Sequence, residues 1–219
     1  MLQTFKANLD EIRQKITKIG EDLVKSNELI LEALQSCDEE KFNEARNCIK
    51  NITSKTDEID NAVIKVLALY TPEARDLRQV VAYFKITNEL SRACSNTRSF
   101  IRGFTDVFKD LDVKEINEYA ILMQTSTVKA IRTTVKMINI DDADELQEMY
   151  EEVLIEENKA DDLYEMIERK LVEQAEASNT FEKYHKMLRA LRKSEKIANR
   201  AISVANLLVY VKIGGHIHN

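Results

Sequence analysis

Two helical segments in the C-terminal half carry acidic residues whose spacing suits metal binding. Glu157 and Asp161 are four residues apart, so a helix places both carboxylates on one face. Further along the chain, Glu195 interrupts an apolar stripe where a core residue is expected, and Asn199 follows one turn later. A buried carboxylate is costly unless it is protonated, paired with a base or bound to a metal. Oxygen ligands one turn apart on two helices suit a hard cation or iron.

The pattern alone favours a structural role for the same acids. Glu195 could pair with Arg192, with Lys196 or with a basic residue across the bundle. Glu157 and Asp161 could belong to a solvated acidic face. The surrounding acids of that face are Glu152, Glu156, Asp162 and Glu165.

A second metal motif is present only in part. Glu182 and His185 form an ExxH motif of the type found in di-iron helical bundles, which need two such motifs and two further glutamates. The sequence has a single ExxH, and Glu182 also completes an N-terminal capping box, so we expect no metal there. His216 and His218 lie in a tail that is predicted to fray.

Composition argues against several classes of protein. The 219-residue chain has a formal net charge of −6, no tryptophan and no basic block with interleaved aromatic residues, so nucleic-acid binding is not expected. GxSxG and glycine-rich phosphate motifs are absent, so no catalytic machinery is predicted. Apolar runs stay below the roughly 18 residues of a membrane span, no signal peptide is recognised, and Cys37, Cys48 and Cys94 lack CxxC spacing. We expect a non-enzymatic, cytoplasmic protein.

Long helices must position the acidic residues. One proline, four glycines and 32% charged residues indicate an all-α fold, and the apolar periodicity predicts six long helices. The second helix is predicted from the N-cap Asp38 to about Tyr70, and the third from the cap Thr71, with Pro72 at its first position, to near Gly103. The apolar stripe of the third helix is predicted to contain Leu77, Val80, Val81, Phe84, Leu90, Cys94 and Ile101.

The second half repeats this plan. Capping signals at Asp112, Asp141 and Asn179 open the fourth, fifth and sixth helices, and Gly214 and Gly215 end the last one.

The two halves correspond at an offset of about one hundred residues. This offset pairs Asp60 with Asp161 and Ser91 with Glu195. We therefore predict two tandem three-helix bundles, residues 1–109 and 110–213, followed by a short tail, 214–219.

The most specific motif is Pro-Glu-Ala-Arg-Asp-Leu-Arg at residues 72–78, followed by an apolar segment and ELSRA at 89–93. This stretch resembles the PhoU family, which typically has a proline, an Ala-Arg-Asp-Leu-Arg run and a helix ending in an ERIGD-like motif. TDEID at 56–60 resembles a further family element, and ENKAD at 157–161 and SEKIAN at 194–199 occupy the corresponding places in the second half. The resemblance covers nearly the whole chain.

The resemblance implies a cytoplasmic, all-helical regulator of phosphate uptake. Such proteins act with a phosphate-specific ABC transporter and a membrane sensor kinase, and they restrain signalling when phosphate is plentiful. Homodimers are usual, and several members bind multinuclear metal clusters through one pair of acidic motifs in each repeat.

This sequence departs from the family in its metal ligands. In the first half the acidic positions of the ERIGD-like motif are Ser91 and Ser95, and only Asp57 and Asp60 remain, so we expect that site to be lost. In the second half three carboxylates and an amide remain. The residues predicted to hold one metal ion or a small iron cluster are Glu157, Asp161, Glu195 and Asn199.

The leading hypothesis is therefore a regulatory adaptor that works through protein contacts. Arg75 and Arg78 could contact a partner, although pairing with Asp76 or with acids of a neighbouring helix is favoured. The alternatives are an iron-handling protein of di-iron type and an accessory protein of a different transporter.

Overall fold

The computed structural model describes residues 2–36, 38–108, 114–177 and 181–213. These residues form helices joined by short connections, and no strand occurs among them. The helices are α1 (Leu2–Ser36), α2 (Glu39–Cys48), α3 (Ile52–Tyr70), α4 (Ala74–Phe108), α5 (Lys114–Met137), α6 (Ala143–Ala177) and α7 (Phe181–Ile213). The predicted all-α fold with six long helices is confirmed, and α2 is a short additional helix. Within these ranges, no helix combines the length and apolar content that a membrane span requires.

The predicted second helix is divided into α2 and α3. Its N-cap is confirmed, because the Asp38 carboxylate accepts a hydrogen bond of 2.9 Å from the backbone N–H of Glu40. The break lies at residues 49–51, where Asn51 precedes α3 without a side-chain capping bond. Asparagine and β-branched residues have lower helix propensity, and both types cluster at this point of the sequence.

The only proline separates two helices and does not start one. Thr71 has a left-handed backbone with φ of 44° and caps the C-terminus of α3, so the prediction that it caps the next helix is wrong. A residue before proline disfavours the helical conformation, which explains why α3 stops there. The Glu73 carbonyl accepts from the N–H groups of Asp76 and Leu77, and α4 begins at Ala74. It extends to Phe108, beyond the predicted end near Gly103.

The N-cap of α6 is Asp142, one residue after the predicted cap Asp141. The Asp142 side chain accepts hydrogen bonds from the N–H groups of Asp144 and Glu145, at 3.1 and 2.9 Å. Asp141 instead pairs with Lys212 at the end of α7. The other predicted signals and side chains at Cys37, Asp112, Asn179, Gly214, Gly215, His216 and His218 lie outside the described residues.

Two hydrophobic clusters fill the interior, and each draws side chains from both halves of the sequence. One contains Ile16 and Ile86 from the first half together with Ile131 and Val204 from the second. The other combines the first-half residues Phe42, Phe100 and Phe104 with Ile167 and Leu191. The helices of the two halves therefore pack against each other along their length. The division into two three-helix repeats stays a prediction.

A buried polar layer lies where the two clusters meet. The Asn27 side chain donates to the Thr97 hydroxyl at 3.2 Å, and Gln124 donates to the Asn27 side-chain oxygen at 3.1 Å. The Ser194 hydroxyl donates to the Gln124 side-chain oxygen at 2.7 Å and lies 3.2 Å from the Thr127 hydroxyl. These residues come from α1, α4, α5 and α7, so the layer fixes the register of four helices.

Part of the apolar stripe predicted for α4 faces outward. Leu77, Val81 and Phe84 are 41, 40 and 40% exposed, whereas Val80 and Leu90 are buried. The three exposed residues are spaced i, i+4 and i+7, so they form a second apolar face beside the buried one. Periodicity recognises that α4 has apolar residues at helical spacing, but packing decides which of them become buried.

Candidate functional site

Glu195 lies inside the bundle, as its position in the apolar stripe predicts, and is 1% exposed. Its Oε1 accepts a hydrogen bond of 2.9 Å from the Asn199 amide and lies 3.1 Å from Lys196 Nζ. Its Oε2 lies 3.2 Å from Arg192 Nε. The guanidinium of Arg192 also stands 4.7 Å from the centre of the Tyr164 ring on α6. Helix α7 therefore supplies the carboxylate together with the cations that neutralise it.

Glu157 and Asp161 on α6 face the same cluster. Burial raises the pKa of the Glu157 carboxyl, and the negative charges of Asp161 and Glu195 raise it further, whereas Lys196 lowers it. Carboxylates influence each other in this way only at short range. Glu157 therefore lies within the electrostatic influence of Glu195, whose carboxylate binds the Asn199 amide, and we call the four predicted ligands Glu157, Asp161, Glu195 and Asn199 the acidic cluster.

The acidic cluster retains unsatisfied acceptors. Glu195 Oε2 forms an ion pair with Arg192 but receives no hydrogen bond, and the side-chain oxygen of Asn199 is likewise buried without a donor. Buried acceptors of this kind are uncommon and call for a donor or a cation. Oxygen ligands of this type match a hard divalent cation.

The side-chain geometry does not by itself form a metal site. Among the described residues, no three His, Cys, Asp or Glu side chains are arranged around a common point suited to a metal ion. Lys196 and Arg192 occupy the space beside Glu195 that a cation would need. The donor chemistry therefore fits a cation, but binding would require the Lys196 ammonium to move.

The corresponding residues of the first half form a weaker site. Burial raises the pKa of the Asp60 carboxyl, the charge of Asp57 raises it further, and one Asp60 oxygen is buried without a partner. Asp57 and Ser95 are exposed, and Ser91 is half-buried. Two of the four positions carry hydroxyls in place of carboxylates, so this site offers fewer charged ligands than the acidic cluster.

The other residues with predicted chemistry lie apart from the acidic cluster. Glu182 is exposed and pairs with Lys186 at 2.8 Å, which is a surface ion pair on α7. The Arg78 guanidinium lies 5.4 Å from the centre of the Tyr210 ring. The pKa of Asp141 is lowered mainly by its hydrogen bond from Lys212, and the charge of Arg75 makes a smaller contribution. Neither arginine forms an ion pair within the described ranges.

Tyr164 on α6 adds an aromatic contact to the acidic cluster. The ring packs against the cation that neutralises Glu195, and it is itself buried. Tyr164 lies one turn after Asp161 and seven residues after Glu157, so helical spacing places it on their face, whereas its contact with Arg192 depends on the packing of α6 against α7.

Comparison with known proteins supports the resemblance carried by the sequence motifs. Residues 16–102 match the family model of the PhoU domain. The crystal structure of PhoU from Pseudomonas aeruginosa superposes with a TM-score of 0.86 at 21% identity, covering 96% of this chain and 100% of that chain. The phosphate transport system regulatory protein PhoU from Streptococcus pneumoniae gives a TM-score of 0.84 at 17% identity, with 98% and 99% covered. No curated protein matches the sequence. The predicted resemblance to the PhoU family is confirmed.

Proposed function

We propose that this chain regulates phosphate uptake as a PhoU-type adaptor without catalytic activity. The observation that carries the proposal is the combination of a PhoU-domain match in residues 16–102 with a PhoU-like fold along nearly the whole chain. Its action would consist of binding to a phosphate ABC transporter and a sensor kinase, and of restraining them when phosphate is plentiful. The proposal places the chain in the cytoplasm, as the family resemblance implies.

The exposed apolar face of α4 is our candidate surface for these contacts. Leu77, Val81 and Phe84 lie on this face. Arg75 is also exposed and lies two residues before Leu77, near the start of α4. Exposed apolar side chains at helical spacing suit the core of a protein interface, and an arginine at the edge favours an acidic partner surface. A homodimer is what the family resemblance implies for the assembly of this chain.

The acidic cluster is the second element of the proposal. We propose that it binds one hard divalent cation weakly through Glu157, Asp161, Glu195 and Asn199. The unsatisfied oxygens of Glu195 and Asn199 support this role. The Lys196 ammonium, 3.1 Å from Glu195, competes with the cation for the same oxygen. Affinity should therefore be lower than at a site whose ligands carry no internal counter-charge.

The function is tested by deleting the gene in its own organism and restoring it on a plasmid. The proposal predicts that transcription of the phosphate transporter genes stays high in phosphate-rich medium after deletion and returns to the repressed level on restoration. Unchanged transcription in the deletion strain would contradict it. If expression of another transporter changes instead, the chain is an accessory protein of that system.

Metal content distinguishes the adaptor from an iron-handling protein. Purified protein is analysed by elemental mass spectrometry and by visible absorbance. Stoichiometric iron with a redox-active absorption band would favour a di-iron function and contradict the adaptor proposal.

A further inference from the structure

Two adjoining pockets open on the surface where α2, α4 and α7 meet. One has a volume of about 400 Å³ and lies between α4 and α7, and the other has a volume of about 490 Å³ and lies between α2 and α4. They share Ser99 and Arg102, so they form one continuous depression, which we call the basic groove. Its cationic lining consists of Arg46, Arg98, Arg102, Lys186, Arg189 and Lys193.

Most cations of the basic groove have no acidic partner among the described residues, and the exception is Lys186, which pairs with Glu182. No acidic side chain is among its described lining residues, although the whole chain has a net charge of −6. Arg46, Arg102, Arg189 and Lys193 form no ion pair with any residue in the described ranges. Some cations elsewhere in the bundle are paired, for example Arg200 with Glu89 at 2.9 Å.

This arrangement opposes folding in the absence of an anion. Arg98 and Arg102 are spaced i, i+4 on α4, and Arg189 and Lys193 have the same spacing on α7. Like charges at this spacing destabilise a helix, and the two helices bring both pairs to one groove. A bound anion would remove the repulsion and accept hydrogen bonds from the guanidinium groups, which remain charged at physiological pH.

The floor of the groove depends on close helix packing. A Cβ added to Gly103 would lie 3.2 Å from the Ala190 Cβ, which is tighter than most side-chain contacts. The small residues therefore let α4 and α7 approach each other, and most of the cationic residues of the groove lie on the same helices around this contact. The Ser99 hydroxyl lies between the two pockets as an additional donor.

From this geometry we propose that the basic groove binds a free anion with at least two phosphate groups, such as a polyphosphate or the triphosphate of a nucleotide. Each pocket has the volume of a small-molecule site, and Arg102 is placed to contact groups in both. The large exposed apolar residues of the described chain lie on α3, on the first half of α4, and on α5 and α6, away from the groove. Docking to a lipid surface or a protein would call for such residues beside the cations. This inference stands on the groove alone and does not depend on the proposed function.

The experiment is calorimetric titration of the full chain, freed of metals, with sodium tripolyphosphate at low ionic strength. We expect saturable binding with one anion per chain, and affinity at least about tenfold lower for Arg102→Gln, since a charge-assisted hydrogen bond is lost. Lys193→Gln serves as a second variant and should weaken binding in the same direction. Inorganic phosphate should bind at least about tenfold more weakly than tripolyphosphate, because it reaches only one pocket.

Lys85→Gln is the matched control. Lys85 is an exposed cation on α4, about 25 Å along the helix from Arg102, and it forms no ion pair with a described residue. Its replacement should change affinity by less than about twofold. Absence of tripolyphosphate binding would overturn the proposal, as would equal losses for Lys85→Gln and Arg102→Gln. Equal affinity for a polyglutamate peptide of the same charge would indicate a protein partner, and binding only to vesicles that contain phosphatidic acid would indicate a lipid surface; either result would overturn it.

Discussion

The acidic cluster of the second half and its counterpart in the first half occupy corresponding positions in the sequence, but they differ in the residues that surround them. Glu195 is buried within the bundle, where it pairs with Arg192 and Lys196 and accepts a hydrogen bond from the Asn199 amide. The corresponding residue Ser91 is half-buried and neutral. Asp60 retains a raised pKa and an unsatisfied oxygen, but only Asp57 adds a nearby negative charge. An acidic motif becomes a candidate site when burial, neighbouring carboxylates and unsatisfied oxygens coincide, and this occurs in the second half.

The buried polar layer shows that a polar side chain inside the bundle does not by itself indicate a ligand site. Ser194 and Glu195 are adjacent in sequence and both buried. The Ser194 hydroxyl has partners on α5, whereas Glu195 Oε2 receives no hydrogen bond. A satisfied layer rigidifies the bundle, and an unsatisfied acceptor marks a place where a ligand or a rearrangement can act.

The largest predicted difference between the halves is in stability. Glu195→Ala should lower the free energy of unfolding by about 2–3 kcal/mol, because it leaves a cavity and removes the acceptor of Asn199 and two cations. Ser91→Ala should change it by less than about 0.5 kcal/mol. Urea unfolding followed by circular dichroism measures both values.

Glu195→Leu is the control for volume. Because Arg192 and Lys196 are 45 and 34% exposed, they can turn to solvent when the carboxylate is replaced by an apolar side chain. The loss should therefore be within about 1 kcal/mol. If Glu195→Leu costs as much as Glu195→Ala, the charge of Glu195 and not its volume holds the cluster together.

Divalent cations provide the second test. At a Mn²⁺ concentration about ten times the dissociation constant, the parent protein should gain about 1.4 kcal/mol of stability. Asp60→Asn should show the same gain, and Glu195→Gln should show none. A gain that survives in Glu195→Gln but disappears in Asp60→Asn would assign the cation to the first half and reverse the comparison.

The pH dependence of stability gives a smaller effect with a defined sign. Since the pKa of Glu157 is raised in the folded state, the folded protein holds this proton more tightly than the unfolded chain does. Stability contributed by this group therefore falls as pH rises from the ordinary glutamate pKa through the raised value. Glu157→Gln should remove that fall, so the variant gains on the parent between pH 4 and pH 7, by less than about 1 kcal/mol.

Asp60→Asn should also gain stability relative to the parent between pH 4 and pH 7, but by a smaller amount. The reason is that the Asp60 carboxyl has one acidic neighbour, whereas the Glu157 carboxyl has two. Urea titrations at both pH values measure the differences. A larger shift for Asp60→Asn than for Glu157→Gln would contradict the ranking of the two sites.

The smallest effect is expected at Asp57. Its side chain is exposed, so Asp57→Asn should change the free energy of unfolding by less than about 0.3 kcal/mol at neutral pH. A loss above 1 kcal/mol, measured by the same unfolding assay, would show that the first-half site has a structural role that its exposure does not indicate.

The features that sequence predicts well are those set by local periodicity. The helical class and the burial of Glu195 follow from apolar spacing, and the Asp38 cap follows from one side chain and its own helix. Pro72 was assigned to the wrong helix position because the left-handed Thr71 that ends α3 leaves no pattern in the sequence.

Features that depend on packing between distant segments escaped prediction. Phe84 has the spacing of a core residue, and only the positions of the other helices leave it exposed. The basic groove could not be predicted from the sequence, because Arg46, Arg102 and Arg189 are far apart along the chain and do not belong to a local block of positive charge. The same limit applies to the contact of Tyr164 with Arg192, since helical spacing places Tyr164 on the face of Glu157 and Asp161 but does not show which residue of α7 it meets.

The proposed regulation of phosphate uptake, and the proposal that cation binding at the acidic cluster contributes to it, can be tested together. The most direct measurement is transporter gene expression in phosphate-rich medium, in a strain that lacks the chain and expresses either the parent, Glu195→Gln or Asp60→Asn at equal protein level. We predict repression by the parent and by Asp60→Asn and loss of repression with Glu195→Gln. Full repression by Glu195→Gln would contradict the role of the cluster, and no repression by the parent would contradict the function itself.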